Sequence, residues 1–277
     1  MKARLAQLNV ATLRYPIDDP RTADFVEALP AVNSAGEQSP GYVWRLQSES
    51  GDATDIRVFD DPLVIVNLTV WDSIEALKAF AYRGTHRDFF KRRAEWFVEG
   101  STRTALWWIP HGSLPTTDNA KRRLDFIEAL GSTPYAFSMG QNHPALVIER
   151  VELGDKRRQD LIDKLGEGID HEATSGFVVA EIEDAPVAGG GYRRLDDDTA
   201  EIRRMYVART ARGMRLGVAL VAELEAAAKS HGVRRLFLET WPRQVPALEK
   251  LGFRHCAPWG EFAPTEESVC MEKTLTA

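Results

Sequence analysis

The chain has 277 residues, a formal net charge of -6 at pH 7, 44% hydrophobic and 27% charged residues. That length suits two domains, and the acidic balance gives no electrostatic reason to expect a nucleic-acid partner. Two cysteines, Cys256 and Cys270, exclude a disulfide framework and fit a reducing cytoplasm. No stretch approaches the roughly 20 apolar residues that span a bilayer, so no membrane association is expected.

In chain order, "RLAQLNVATL" alternates as a strand does, and "TADFVEALPAVNSAGE" reads as a helix interrupted at Pro30. "GYVWRLQ" and "LVIVNLTVW" are further strands. "WDSIEALKAF" opens a helix with Asp72 as N-cap and Glu75 three places on, a capping-box arrangement. A second helical stretch, "THRDFFKRRAEWF", precedes the strand "TALWWIP", in which the adjacent Trp107 and Trp108 must point to opposite faces. The order β-α-β-β-α-β is the split, ferredoxin-like pattern. "TTDNAKRRLDFIEALG" closes this block as a helix stopped by Gly131.

"STPYAFSMGQNHP" has prolines, small polar residues and no sustained period, and serves as the linker. The boundary falls at His143, giving domains 1–143 and 144–277. The second block runs through the strand "ALVIERVEL", the helix "KRRQDLIDKLGEGI" and three strands, "GFVVAEIED", "APVAGGGYRRL" and "TAEIRRMYVA". Turn residues separate these strands at Glu183-Asp184 and at Asp196-Asp197-Asp198. A long amphipathic helix, "LGVALVAELEAAAKSHG", follows, with Leu216, Leu220, Val221, Leu224 and Ala228 on one face. The strand "RRLFLET", the short helix "VPALEKLG" and strands around "FRHC" and "SVCMEKTL" end the chain. The six histidines show no metal-ligand spacing, so no metal is expected. His86 and His111 read as structural or exposed.

Between the strand ending at Val207 and the long helix lies "RTARGMRLG". A helix N-terminus exposes unpaired N–H groups and partial positive charge. Glycine permits close backbone approach, and arginine forks onto phosphate. Together they form a seat for a pyrophosphate or remain an ordinary turn with solvated arginines; the residues alone leave both open.

"EIRRMYVARTARGMRLGVALV" strongly resembles the central motif of the GNAT superfamily of N-acyltransferases, and "LEKLGFRHC" resembles that superfamily's later signature. The resemblance covers residues 144–277 and implies a mixed sheet with helices that takes acetyl-CoA or another acyl-CoA as donor and a primary amine as acceptor. It implies pantetheine contacts from the backbone of Met205, Tyr206 and Val207. It also places the pyrophosphate on the turn, at Arg212, Gly213, Met214, Arg215, Leu216, Gly217 and Val218. Arg215 replaces the family's middle glycine and is expected to set a cation beside the phosphates. Leu248 stands where a tyrosine commonly protonates the departing thiolate, with Tyr206 as an alternative acid. Glu201, six residues before Val207, matches the glutamate that serves many relatives as general base; its other reading is a strand glutamate paired with Arg203. "WGEFAPTEE" sits where relatives build the acceptor wall.

The first block resembles the dimeric α+β barrel superfamily, in an uncharacterised branch distantly like antibiotic-biosynthesis monooxygenases. The residues that carry this are "SPGYVWRLQ", "VIVNLTVWDSIEALKAFAY", "HRDFFKRRAEWF" and "TALWWIP". It implies a homodimer built by pairing two sheets. The expectation is therefore a cytoplasmic, acetyl-CoA-dependent N-acetyltransferase with an N-terminal dimerisation or ligand-binding module. The alternatives are a CoA-sensing domain without turnover, and a cofactor-free oxygenase-like first domain with a regulatory second.

Overall fold

The computed structural model describes residues 3–82, 91–152, 154–164, 175–259 and 267–275. The chain forms two compact units, one of residues 1–128 and 136–143, the other of residues 129–135 and 144–277.

The first unit is built on β1 (Ala3–Thr12), β2 (Tyr42–Arg45), β3 (Val64–Trp71) and β4 (Arg103–Pro110), in a four-stranded sheet of order β2-β3-β1-β4. Every pairing is antiparallel. Helices α1 (Ala23–Glu37) and α2 (Ile74–Ala81) and the turn α3 (Arg93–Trp96) connect the strands, and α4 (Thr117–Leu130) follows β4. Side chains alternate across a strand, so Ala6, Leu8 and Val10 share a face with Leu68, Val70, Ala105 and Trp107. Their cover comes from α4, which brings Ala120, Leu124 and Ile127 at helical spacing, and from Trp44, Leu46, Val58 and Phe59. This fills the apolar face that two barrel-forming sheets would share. The chain thus covers that face with its own side chains.

The opposite face carries α1 through Phe25 and Leu29, and α2 through Ile74, Leu77 and Phe80. Trp107 lies in the first core and half-buried Trp108 beside Phe137 on this second face, with ring centroids 6.4 Å apart. Helix α1 is continuous through Pro30, where an interruption was expected. The proline removes one bond to the Val26 carbonyl, and Val26 is 38% exposed, so water can satisfy the freed acceptor. The cap of α2 is Ser73, whose side chain accepts from the Ala76 N–H at 3.1 Å. Asp72 instead pairs with Arg4 at 3.3 Å. Residues 85–90 of the second predicted helix, His86 among them, fall outside the described residues; its described end holds the short α3.

The segment expected as a linker is buried at its centre. Tyr135 and Ala136 are fully buried and Phe137 nearly so. Phe137 exchanges backbone bonds with Leu106 in the first unit, both 2.9 Å. Tyr135 donates its hydroxyl to Glu223 in the second at 2.8 Å. Apolar side chains, rather than composition of the flanking residues, decide where this strand of chain runs.

The second unit holds β5 (Leu146–Val151), β6 (Gly176–Ile182), β7 (Ala185–Arg194), β8 (Thr199–Val207), β9 (Arg235–Thr240), β10 (Arg254–His255) and β11 (Val269–Thr274). They make a seven-stranded sheet of order β10-β11-β9-β8-β7-β6-β5. Among the described residues only the β8–β9 pair is parallel, and a parallel pair needs a crossover. That crossover is α6 (Leu216–Ser230), which packs on β6, β7 and β8. Helix α5 (Lys156–Asp163) lies on the other face, and α7 (Val245–Lys250) follows β9. The five residues expected on the buried face of α6 are all buried, and so are five more. Glu183 and Asp184 both take positive φ, 51° and 63°, as a tight two-residue hairpin requires. Gly189 and Gly190 in β7 admit close neighbours: a Cβ on them would stand 2.7 Å from Leu161 Cδ1 and 2.3 Å from Met205 Sδ respectively.

Candidate acyl-CoA site

The site begins with a defect in β8. Its register against β7 shifts between the pairs Gly191–Arg203 and Gly189–Tyr206, which places one extra residue on β8. Arg204 absorbs it with φ 58°. Such a bulge bends and twists its strand. On the other side, parallel pairing with β9 ends at Ile202–Leu238, although β8 runs on to Val207 and β9 to Thr240. The two strands therefore separate past the bulge. Met205, Tyr206 and Val207 present their backbone along an edge that no strand among the described residues covers on the β9 side, and an extended ligand can pair there.

Directly after this edge come a short turn of helix (Arg209–Ala211) and the start of α6. Gly213 has φ 88°, a conformation few other residues accept. The first backbone bond into α6 runs from the Ala219 N–H to the Arg215 carbonyl at 3.2 Å. Leu216, Gly217 and Val218 thus have no intrahelical acceptor, and no side chain caps them. Arg212 is exposed and reaches back to the Val207 carbonyl at 3.4 Å. An open strand edge running into an uncapped helix start matches the two parts of an acyl-CoA, an extended amide-bearing arm and a pyrophosphate.

Arg215 departs from the expectation. It occupies the cap position of α6 with φ 59° and ψ 25°, the left-handed conformation that costs a non-glycine residue about 1–2 kcal/mol. Its guanidinium donates to the carbonyl of Leu130, the last residue of α4. A cation at a helix C-terminus is favourable, so this side chain holds a helix end and is not a free charge beside the turn. Its backbone N–H remains part of the turn.

Glu201 is only 5% exposed. Its Oε1 lies 2.7 Å from the Arg193 guanidinium, its register partner on β7, and 3.4 Å from Arg203. Its Oε2 accepts the Trp259 indole N–H at 2.8 Å. Trp259 in turn stacks on Phe237 of β9, centroids 5.0 Å apart and planes 19° apart. Oε1 faces the two arginines without a hydrogen bond in place, so the carboxylate keeps acceptor capacity on that oxygen. Arg193 and Trp259 are the site residues that sequence reasoning missed; a signal for the first was its cross-strand position, and "WGEFAPTEE" begins with the second. Residues 260–266 of that expected wall lie outside the described residues.

Leu248 is buried, 2% exposed, and fills the place of the expected acid with hydrocarbon. The Tyr206 ring packs against Leu161, Ile162, Phe177 and Val179. Among the described residues no group of His, Cys, Asp and Glu could hold a metal ion, and no helix is long and apolar enough to cross a membrane.

Two family models match the chain. Residues 4–152 match "Domain of unknown function (DUF3291)" and residues 145–253 match "Acetyltransferase (GNAT) family". A curated relative, an IAA acetyltransferase of Azospirillum brasilense, is 35% identical over 104 residues, spanning 36% of this chain and 67% of its own. Among solved structures, an acetyltransferase from Streptococcus agalactiae is similar at 19% identity and TM-score 0.36, over 47% of this chain and 98% of its own. A GNAT family acetyltransferase from Elizabethkingia anophelis with acetyl-CoA bound is similar at 16% identity and TM-score 0.39, with the same two coverages of 47% and 98%.

The second unit is thus an acetyltransferase domain in its class. The chain belongs to the DUF3291 family through its first part and to the GNAT family through its second.

Proposed function

We propose that the second unit transfers the acetyl group of acetyl-CoA to a primary amine by direct attack. The amine nitrogen bonds to the thioester carbonyl carbon, the carbon–sulfur bond breaks, and the sulfur leaves as CoA thiolate. The observation that carries this reading is the strand edge at Met205–Val207 opening beside the uncapped start of α6. The edge would pair with the pantetheine amides, and the N–H groups from Gly213 to Val218 would hold the pyrophosphate with Arg212 beside them.

An amine with pKa near 10.4 is mostly protonated at neutral pH, and freeing its lone pair costs about 4–5 kcal/mol. In this reading Glu201 takes that proton on Oε1, the oxygen without a hydrogen bond. The thiolate needs less help, since an ordinary thiol has a pKa of about 8.5; buried Leu248 supplies no acid. The test is acetyl-CoA-dependent acetylation of a broad panel of primary amines, read as thiol release. Amine-dependent release supports transfer.

A second reading, CoA binding without turnover, draws on Leu248 and on the ion pairs that hold the Glu201 carboxylate to Arg193 and Arg203. It expects acetyl-CoA to bind while no amine in the panel accelerates thiol release.

The order β2-β3-β1-β4 supports a ferredoxin-like description of the first unit.

A further inference from the structure

The helix-bearing face of the first sheet is not filled throughout. Between the cluster around Leu5 and Trp71 and the cluster around Leu13 and Phe25 lies a cavity of about 540 Å³, within the size range of small-molecule sites. Packed sheet faces are ordinarily apolar. Here, three neighbouring strands place Gln7, Asn9, Asn67 and Thr104 on the cavity floor, with Asn9 opposite both Asn67 and Thr104. The walls are apolar: Phe25, Leu29 and Val32 from α1, with Ile65, Phe97 and Met139.

The polar groups of the floor have their acceptor ends occupied. Asn9 Oδ1 takes the Thr104 hydroxyl at 2.7 Å, and Gln7 Oε1 takes the Thr69 hydroxyl at 3.1 Å. Their amide NH₂ groups remain as donors. Asn67 has no side-chain partner among the described residues. The charged groups of the lining are already engaged: Arg45 pairs with Glu37 at 2.7 Å, Asp52 accepts from Thr54, and Arg93 makes contacts of its own. These donors face the cavity, so a floor of amide donors under apolar walls favours a neutral molecule with acceptor oxygens.

We propose that this cavity is a binding site for an uncharged, mainly apolar small molecule that accepts hydrogen bonds through a carbonyl oxygen. The proposal stands on the first unit alone and does not depend on acetyl transfer.

The test titrates the full chain with Nile red, a neutral apolar ketone, and in parallel with the anionic dye 1-anilinonaphthalene-8-sulfonate, following fluorescence. The expected result is saturable binding of one Nile red per chain, at least tenfold tighter than the anionic dye. Ala11→Phe places a ring on the floor beside Asn9 and should weaken Nile red at least tenfold. Asn67→Leu keeps the volume, removes a donor and should weaken it about three- to tenfold. Thermal melts of both variants report folding, and if Ala11→Phe melts early, Asn67→Leu decides. Absence of saturable binding, equal affinity for the two dyes, or binding unchanged in a folded variant would each overturn the proposal.

Discussion

The indole N–H of Trp259 donates to Glu201 at 2.8 Å across 58 positions of sequence. The same carboxylate faces Arg193 on its other oxygen at 2.7 Å. A strand glutamate thereby joins β7, β8 and the segment after β10 on one face of the second sheet. If it is also the base, Glu201→Gln keeps its size and its acceptance from Trp259 while removing the proton acceptor. Turnover should fall by about 10² to 10⁴, the range for losing a positioned base, with acetyl-CoA affinity nearly unchanged. The deficit should shrink as pH rises toward the amine's own pKa, because solvent then does the deprotonation. Initial rates with a true acceptor from pH 7 to 10 check this; full activity at neutral pH would leave Glu201 a structural residue.

The two arginines of the turn should separate. Arg212→Glu sets an anion beside the uncapped N–H groups and should weaken acetyl-CoA at least tenfold. Arg215→Ala keeps the left-handed backbone and loses the bond to Leu130, so it should lower stability by about 1–3 kcal/mol and change donor affinity less than threefold. Arg215→Gly relieves the conformation and should be about 1 kcal/mol more stable than Arg215→Ala. Urea unfolding and calorimetric titration with acetyl-CoA read both quantities.

The thiol of Cys256 is pushed up to about 11, by burial first and then by the nearby Glu272 carboxylate and Cys270. The folded state holds this proton above the ordinary value of 9.0, so the associated stability is present below about pH 9 and is lost as pH rises through about 11. At pH 8, iodoacetamide should modify Cys256 in the folded protein about 10- to 100-fold more slowly than in urea. Mass spectrometry of the peptide carrying Cys256 measures this, and equal rates would contradict the burial argument.

Leu124 is 1% exposed, in the core that covers the first sheet. Leu124→Ala should cost about 2–5 kcal/mol, seen as a lower urea midpoint for the first unit. A change below about 1 kcal/mol would mean that α4 does not hold this face.

Much of this was legible in the sequence because it depends on local pattern. The apolar face of α6, the Gly131 stop and the strands around the Arg-Gly turn all follow from periodicity and turn chemistry. The rest depends on tertiary partners. Nothing in "EIRRMYV" marks Arg204 as the bulged residue, since it is not a glycine. The left-handed Arg215 is explained by a carbonyl 85 positions away. Pro30 reads as a helix stop until the exposure of Val26 is known. The linker looked polar by composition, yet Tyr135 and Phe137 are the residues that place it. The cover of the first sheet face was missed because Leu46, Val58 and Phe59 lie in loops, where hydrophobic periodicity gives no signal.

The central claim is that the backbone from Met205 to Val218 forms the donor seat. Hydrogen exchange with and without acetyl-CoA tests it most directly, because it reads the N–H groups themselves. Bound acetyl-CoA should slow exchange in peptides covering Met205–Val207 and Gly213–Val218, with no change over β3 of the first unit. Saturating acetyl-CoA that leaves exchange at 205–218 unaltered would contradict it.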